Sequence, residues 1–189
     1  MGKVTLKPYR QGHLDGYCGI YCVVNIVHYL RGPLDESHAN KLFCKKMKSL
    51  NQKKDLVERI TVGTSLKELS ELLDKTLVRY QLRHKRLFRR NKGVSLDHYW
   101  HTLQTFIANR KGIVLICIGG FYNHWTLVRD VTSKSLLLFD SDGIKHLSRV
   151  QCCITSEQLS HRHHLLIPTH TVFIWGEERH DSENEVPHV

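Results

Sequence analysis

At 189 residues the chain has the length of one domain and enough residues to bury a core of its own. Its 41% hydrophobic and 24% charged residues exclude a disordered composition, and no apolar run approaches the roughly 18 residues of a membrane-spanning helix. The net charge of +10 is concentrated in Lys41–Lys54 and Arg79–Lys92. Such a potential can attract nucleic acid, an anionic membrane or an acidic protein, and a solvated basic surface is preferred here over a dedicated nucleic-acid site.

In chain order, Met1–Arg10 lacks the continuous apolar segment of a secretory signal, and Leu6 breaks the myristoylation pattern. A cytoplasmic protein is expected, with secretion as an effector by a signal-independent route as the alternative. Ile20, Val23, Val24, Val27 and Leu30 form a helical stripe that ends at Arg31-Gly32-Pro33 and predicts a buried central helix. Asp35 or Ser37 is positioned to cap a second helix, with Ala39, Leu42, Phe43, Met47 and Leu50 on one face and lysines on the other. Ser65 and Glu68 form a capping box ahead of Leu66, Leu69, Leu72 and Leu73. Val78, Tyr80 and Leu82 then alternate with Arg79, Gln81 and Arg83, which predicts a half-exposed strand. Ser95 caps a helix carrying Leu96, Tyr99, Trp100, Leu103, Phe106 and Ile107, which stops at Lys111-Gly112.

From Ile113 the pattern changes to strands: Ile113–Ile118, a Gly119-Gly120 turn, His124–Val131, Leu136–Phe139, Leu165–Ile167 and Thr171–Trp175, with Pro168 interrupting the last pair. These spans predict an α+β fold in one domain over residues 1–176. It has helices first, a basic helical insert at about 34–92, an antiparallel sheet second, and a polar tail over 177–189 read as disordered.

The chemistry lies at element ends. Cys18, in Asp15-Gly16-Tyr17-Cys18-Gly19, stands at the start of the first helix, where unpaired N–H groups and the helix dipole favour a thiolate. Gly16 and Gly19 permit close backbone approach, which argues against an inert packed thiol. His124 opens one strand and Asp140 closes the next, so a hairpin through Thr132–Ser135 brings them to the same end of the sheet. Cysteine, histidine and aspartate can then act as nucleophile, base and orienting acceptor. Among 14 histidines His124 is preferred on its strand context, while His13 and His28 lie too near Cys18 in sequence. Asp140 is preferred to Asp130 and Asp142, because it closes an apolar strand where a buried carboxylate needs a partner. Cys22, one turn after Cys18, reads as core.

The six cysteines at 18, 22, 44, 117, 152 and 153 show no framework spacing and are expected to be reduced. His161-Arg162-His163-His164 after Cys152-Cys153 lacks zinc-ligand spacing, so no metal and no cofactor are expected. Gly119-Gly120 is read as a turn, not a phosphate loop.

Gln11, the Asp-Gly-Tyr-Cys18-Gly stretch, His124-Trp125 and Asp140-Ser-Asp-Gly resemble the papain-like cysteine peptidases, and within them the compact bacterial branch of double-glycine leader peptidases. The resemblance runs from about Gln11 to about Trp175 and implies a central nucleophile helix packed on a C-terminal antiparallel sheet. It also implies a thiol protease that cleaves a peptide or isopeptide bond in a polypeptide substrate through an acyl-enzyme; it says little about substrate recognition, and the charge of the basic insert would by itself suit docking of an acidic substrate protein. Gln11 matches the glutamine whose side-chain amide donates to the oxyanion in that family. The spacing from Gln11 to Cys18 is one residue longer than in papain, and the family offers no counterpart for the basic insert. Transglutaminases, glutamine deamidases and arylamine acetyltransferases share the order of Cys, His and Asp. A rival of another class is a non-catalytic basic module that grips nucleic acid or an acidic protein.

Overall fold

The computed structural model describes residues 6–12, 15–51, 63–91, 93–154, 160 and 163–176. Helix α1 (Cys18–Leu30) is apolar nearly all round, burying Ile20, Val23, Val24, Ile26 and Val27, as a helix enclosed by other elements must. It ends with Gly32 in the left-handed region at φ 95°. Helix α2 (Glu36–Asn51) is capped by Asp35, whose Oδ1 accepts the His38 N–H at 2.8 Å, and it buries Ala39, Leu42, Lys46 and Leu50 on one side. Helix α3 (Leu66–Arg79) begins with the expected capping box: Ser65 Oγ accepts the Glu68 N–H and Glu68 Oε2 accepts the Ser65 N–H.

The strand expected from Val78 onward is a correction. α3 continues to Arg79 because Leu72, Leu73, Thr76 and Leu77 prolong its buried stripe, and Val78 points to solvent at 80% exposure. Gln81, at φ 51°, turns the chain, and the Arg31 guanidinium holds that turn by donating to the Tyr80 and Gln81 carbonyls. Strand β1 therefore covers only Leu82–Lys85. Helix α4 (Leu96–Arg110) is capped by Ser95 and buries Tyr99, Trp100 and Leu103.

The remaining strands are β2 (Ile113–Gly119), β3 (His124–Val131), β4 (Ser135–Leu138), β5 (His146–Ser148), β6 (Cys152–Cys153), β7 (His164–Leu166) and β8 (Val172–Gly176). The sheet order is β1-β8-β2-β3-β4-β5, all antiparallel, with β7 pairing to the end of β2 and the short β6 running parallel to β7. A single turn of 3₁₀ helix, Pro168–His170, interrupts the chain between β7 and β8.

The protein is α+β, with helices on both faces of the sheet. Ile113, Leu115 and Cys117 of β2 pack with α1 and α3, whereas Val114, Ile116 and Ile118 pack with α4. Coverage on both faces explains why β2 is a continuous apolar run with no polar alternation. The segment read as an insert shares the α1 core through Leu50, Leu69, Leu72, Leu73, Leu77 and Leu82. Among the described residues, no helix is long and apolar enough to cross a membrane.

Candidate active site

Three chain segments meet at the N-terminus of α1. Cys18 is the first residue of the helix, preceded by Tyr17, which offers no side-chain cap; among the described residues the Cys18 N–H meets no acceptor. The helix therefore presents an unpaired donor beside the thiol. Gly19 is dictated by contact: a Cβ there would lie 2.9 Å from the Thr64 Cβ. That lets the segment ahead of α3 lie against α1, and the Trp125 indole fixes it by donating to the Thr64 carbonyl at 2.8 Å.

His124 opens β3 immediately after Asn123, which takes a left-handed φ of 44° that asparagine tolerates. β4 returns antiparallel to β3 and delivers Asp140 to the same end. His124 Nε2 lies 2.7 Å from Asp140 Oδ2, and both side chains are buried. The other carboxylate oxygen, Oδ1, accepts the N–H groups of Asp142 at 2.9 Å and Ile144 at 3.0 Å, which fixes its orientation. With Nε2 committed to Asp140, Nδ1 is the ring nitrogen left for Cys18, whose sulfur acts on the ring electrostatically although the pair falls outside hydrogen-bonding geometry. The Trp125 N–H also donates to Cys18 Sγ at 3.5 Å.

The electrostatics follow from these contacts. Burial alone lowers the His124 pKa, but the bond to Asp140 and the neighbouring Cys18 overrule it and raise it to about 10. Burial pushes the Asp140 carboxyl up, while the bonds from His124 and the Ile144 N–H bring it below its ordinary value. The buried Thr126 hydroxyl, two residues along β3, adds to this lowering, although the pair falls outside hydrogen-bonding geometry. An imidazolium held between a carboxylate and a thiol can keep a thiolate and give up a proton to a leaving group.

Gln11 is fixed beside the Asp140 end of the sheet by contacts not legible in the motif. The Gln11 N–H donates to the Ser141 carbonyl at 3.0 Å, and the Ser141 hydroxyl donates to Gln11 Oε1 at 3.1 Å. This orients the amide with its oxygen toward Ser141, next to Asp140, and leaves its NH₂ group for another acceptor. Two α1 residues hold the incoming segment. Asn25 Oδ1 accepts the Tyr9 N–H at 2.8 Å and its amide donates back to the Tyr9 carbonyl at 3.0 Å. His28 accepts the Leu34 N–H on Nδ1 and so donates from Nε2 to the Lys7 carbonyl.

Asn25, Thr64, Thr126 and Ser141 were not singled out from the sequence; only their polar character on apolar elements could have flagged them. Cys22 is buried core, its thiol donating to the Trp125 carbonyl at 3.3 Å and its pKa raised far above normal by burial. Asp130 and Asp142 stay outside the His124 contact: Asp130 accepts its neighbour's N–H, and Asp142 belongs to the turn before Gly143. His13, His161 and Arg162 lie outside the described residues, as does the tail over 177–189. Among the described residues no three metal-ligating side chains converge.

No family model matches the chain, and no curated protein or solved structure matches it at significance.

Proposed function

We propose that the chain is a papain-like cysteine hydrolase that cleaves a peptide or isopeptide bond through a Cys18–His124–Asp140 triad. The observation that carries this reading is the 2.7 Å bond from His124 to Asp140, both buried, beside a thiol at a helix N-terminus that accepts the N–H of the residue following His124.

In this mechanism the Cys18 thiolate attacks the carbonyl carbon, and the bonding pair of the C=O moves to oxygen. The Cys18 N–H and the Gln11 amide NH₂ hold that oxyanion, and each such donor is worth roughly 3–4 kcal/mol of barrier. His124 then passes its Nδ1 proton to the departing nitrogen, and the C–N bond breaks to leave a thioester. Water next attacks as His124 takes its proton; the C–S bond breaks, and the acid product leaves with the thiolate–imidazolium pair restored. Asp140 keeps the ring in the required tautomer and orientation throughout.

The test is limiting alkylation with iodoacetamide, mapped over all six cysteines, beside hydrolysis of a mixed fluorogenic peptide set. Near neutral pH Cys18 is expected to label faster than the exposed Cys44, and the advantage disappears in His124→Ala. Cys18→Ala abolishes hydrolysis, and Asp140→Asn lowers it by about 10²–10⁴-fold. Cys18 labelling at one rate in wild type and His124→Ala would remove the reading.

A further inference from the structure

Away from Cys18, α2 and α3 enclose a cavity of about 340 Å³ lined by Lys45, Lys46, Lys48, Lys75, Arg79 and Tyr80 among others. Among the described residues no carboxylate forms an ion pair with any of these five cations. Lys46 is the anomaly. It is only 6% exposed, and among the described residues its ammonium has one acceptor, the Leu72 carbonyl at 3.5 Å, an oxygen that already takes the Thr76 hydroxyl at 2.5 Å. An ammonium carries three donors, and burying it without acceptors is costly. Burial together with Lys45, Arg79 and Lys75 pushes its pKa down to about 8, which leaves it mostly charged at neutral pH. The C-terminal partial charge of each helix favours lysines on the rim, but it does not supply Lys46 with acceptors.

We propose that this cavity binds a compact polyphosphorylated anion, with the Lys46 ammonium beneath one phosphoryl group and Lys45, Lys48, Lys75 and Arg79 around the others. A phosphoryl group brings three acceptor oxygens to a buried ammonium, and several such groups match five cations gathered around one small volume. Single-stranded nucleic acid fits less well, because it needs stacking surfaces in succession and Tyr80 is the one aromatic side chain in this lining. The ligand would bridge two helices that flank Cys18: α2 places Phe43 against Tyr17, and α3 follows directly from the Thr64 segment packed on Gly19. The proposal stands apart from the thiol chemistry, and its test reads binding alone.

Thermal unfolding of the full chain is followed with inorganic tripolyphosphate, with orthophosphate, and with sodium chloride at matched ionic strength. Tripolyphosphate is expected to raise Tm by several degrees and to half-saturate at least tenfold below orthophosphate, with sodium chloride reproducing neither effect. Lys46→Met is expected to raise the ligand-free Tm by about 2–4 °C by removing the buried charge, yet to weaken tripolyphosphate binding at least tenfold. Should that variant fold poorly, Lys75→Gln with Arg79→Gln changes only exposed side chains and is expected to weaken binding by a similar factor. An undiminished tripolyphosphate shift in these variants, or no shift beyond the salt control, overturns the proposal. So does tighter binding of a single-stranded oligonucleotide or an acidic peptide at the same cavity.

Discussion

His124 stands between a carboxylate and a thiol, so its protonation is tied to both folding and chemistry. Its pKa in the fold, about 10, exceeds the ordinary 6.5, which means that the folded state binds its proton more tightly than the unfolded one. The resulting stabilisation is complete below pH 6.5 and is lost as the pH rises toward about 10. Urea midpoints measured across that window are expected to fall for the wild type and to fall less for His124→Gln. Hydrolysis is expected to decline as the pH passes about 10, where the imidazolium needed by the leaving group disappears, while Cys18 alkylation persists. Parallel loss of both rates would separate His124 from the proton transfer. His28 acts in the opposite direction. Burial lowers its pKa and its Nδ1 accepts an N–H, so its protonation in acid works against the fold and the tether of residues 7–9 to α1.

At the scale of elements, the ends of helices and strands were readable where a side chain closes a local hydrogen bond. Ser65 with Glu68, and Ser95 with the His98 N–H, are local devices within four residues of each other, and the structure contains both. Ser65→Ala is expected to lower stability by about 1 kcal/mol in chemical denaturation, because the first turn of α3 loses its acceptor. Gly112 is a tertiary requirement: a Cβ there would stand 2.5 Å from the Ile174 carbonyl. Gly112→Ala is therefore expected to separate β2 from β8 locally, seen as faster amide exchange in both strands. What stayed illegible has physical causes. Val78–Arg83 fits both a strand and the last turn of a helix, and only the buried Leu72, Leu73 and Leu77 upstream decide between them. β5 and β6 are two or three residues long with no apolar pattern of their own, and they exist because neighbouring strands offer them partners. At the site, Cys18, His124 and Asp140 could be read from their places at element ends. The tether through Asn25 and His28 could not, because it joins residues 16 and 21 positions apart that share no periodicity.

The whole molecule is a sheet covered on both faces, and its most enclosed strand is β2, buried at every position from Ile113 to Gly119. Ile116→Ala is expected to cost about 2–5 kcal/mol and to lower Tm by about 4–20 °C, since the packed core cannot collapse onto the cavity. A far smaller loss would mean that the α4 side of the sheet packs loosely. The sheet order also fixes a schedule. β8 lies between β1 and β2, with Leu82 opposite Gly176 and Ile113 opposite Ile174. During synthesis the ribosome releases β1 and β2 long before the strand that must fill the gap between them, so the sheet stays split until Val172–Gly176 has emerged. A chain stalled earlier displays two unsatisfied strand edges to the surrounding cell, and premature termination is expected to yield a substrate for chaperones instead of a smaller working protein.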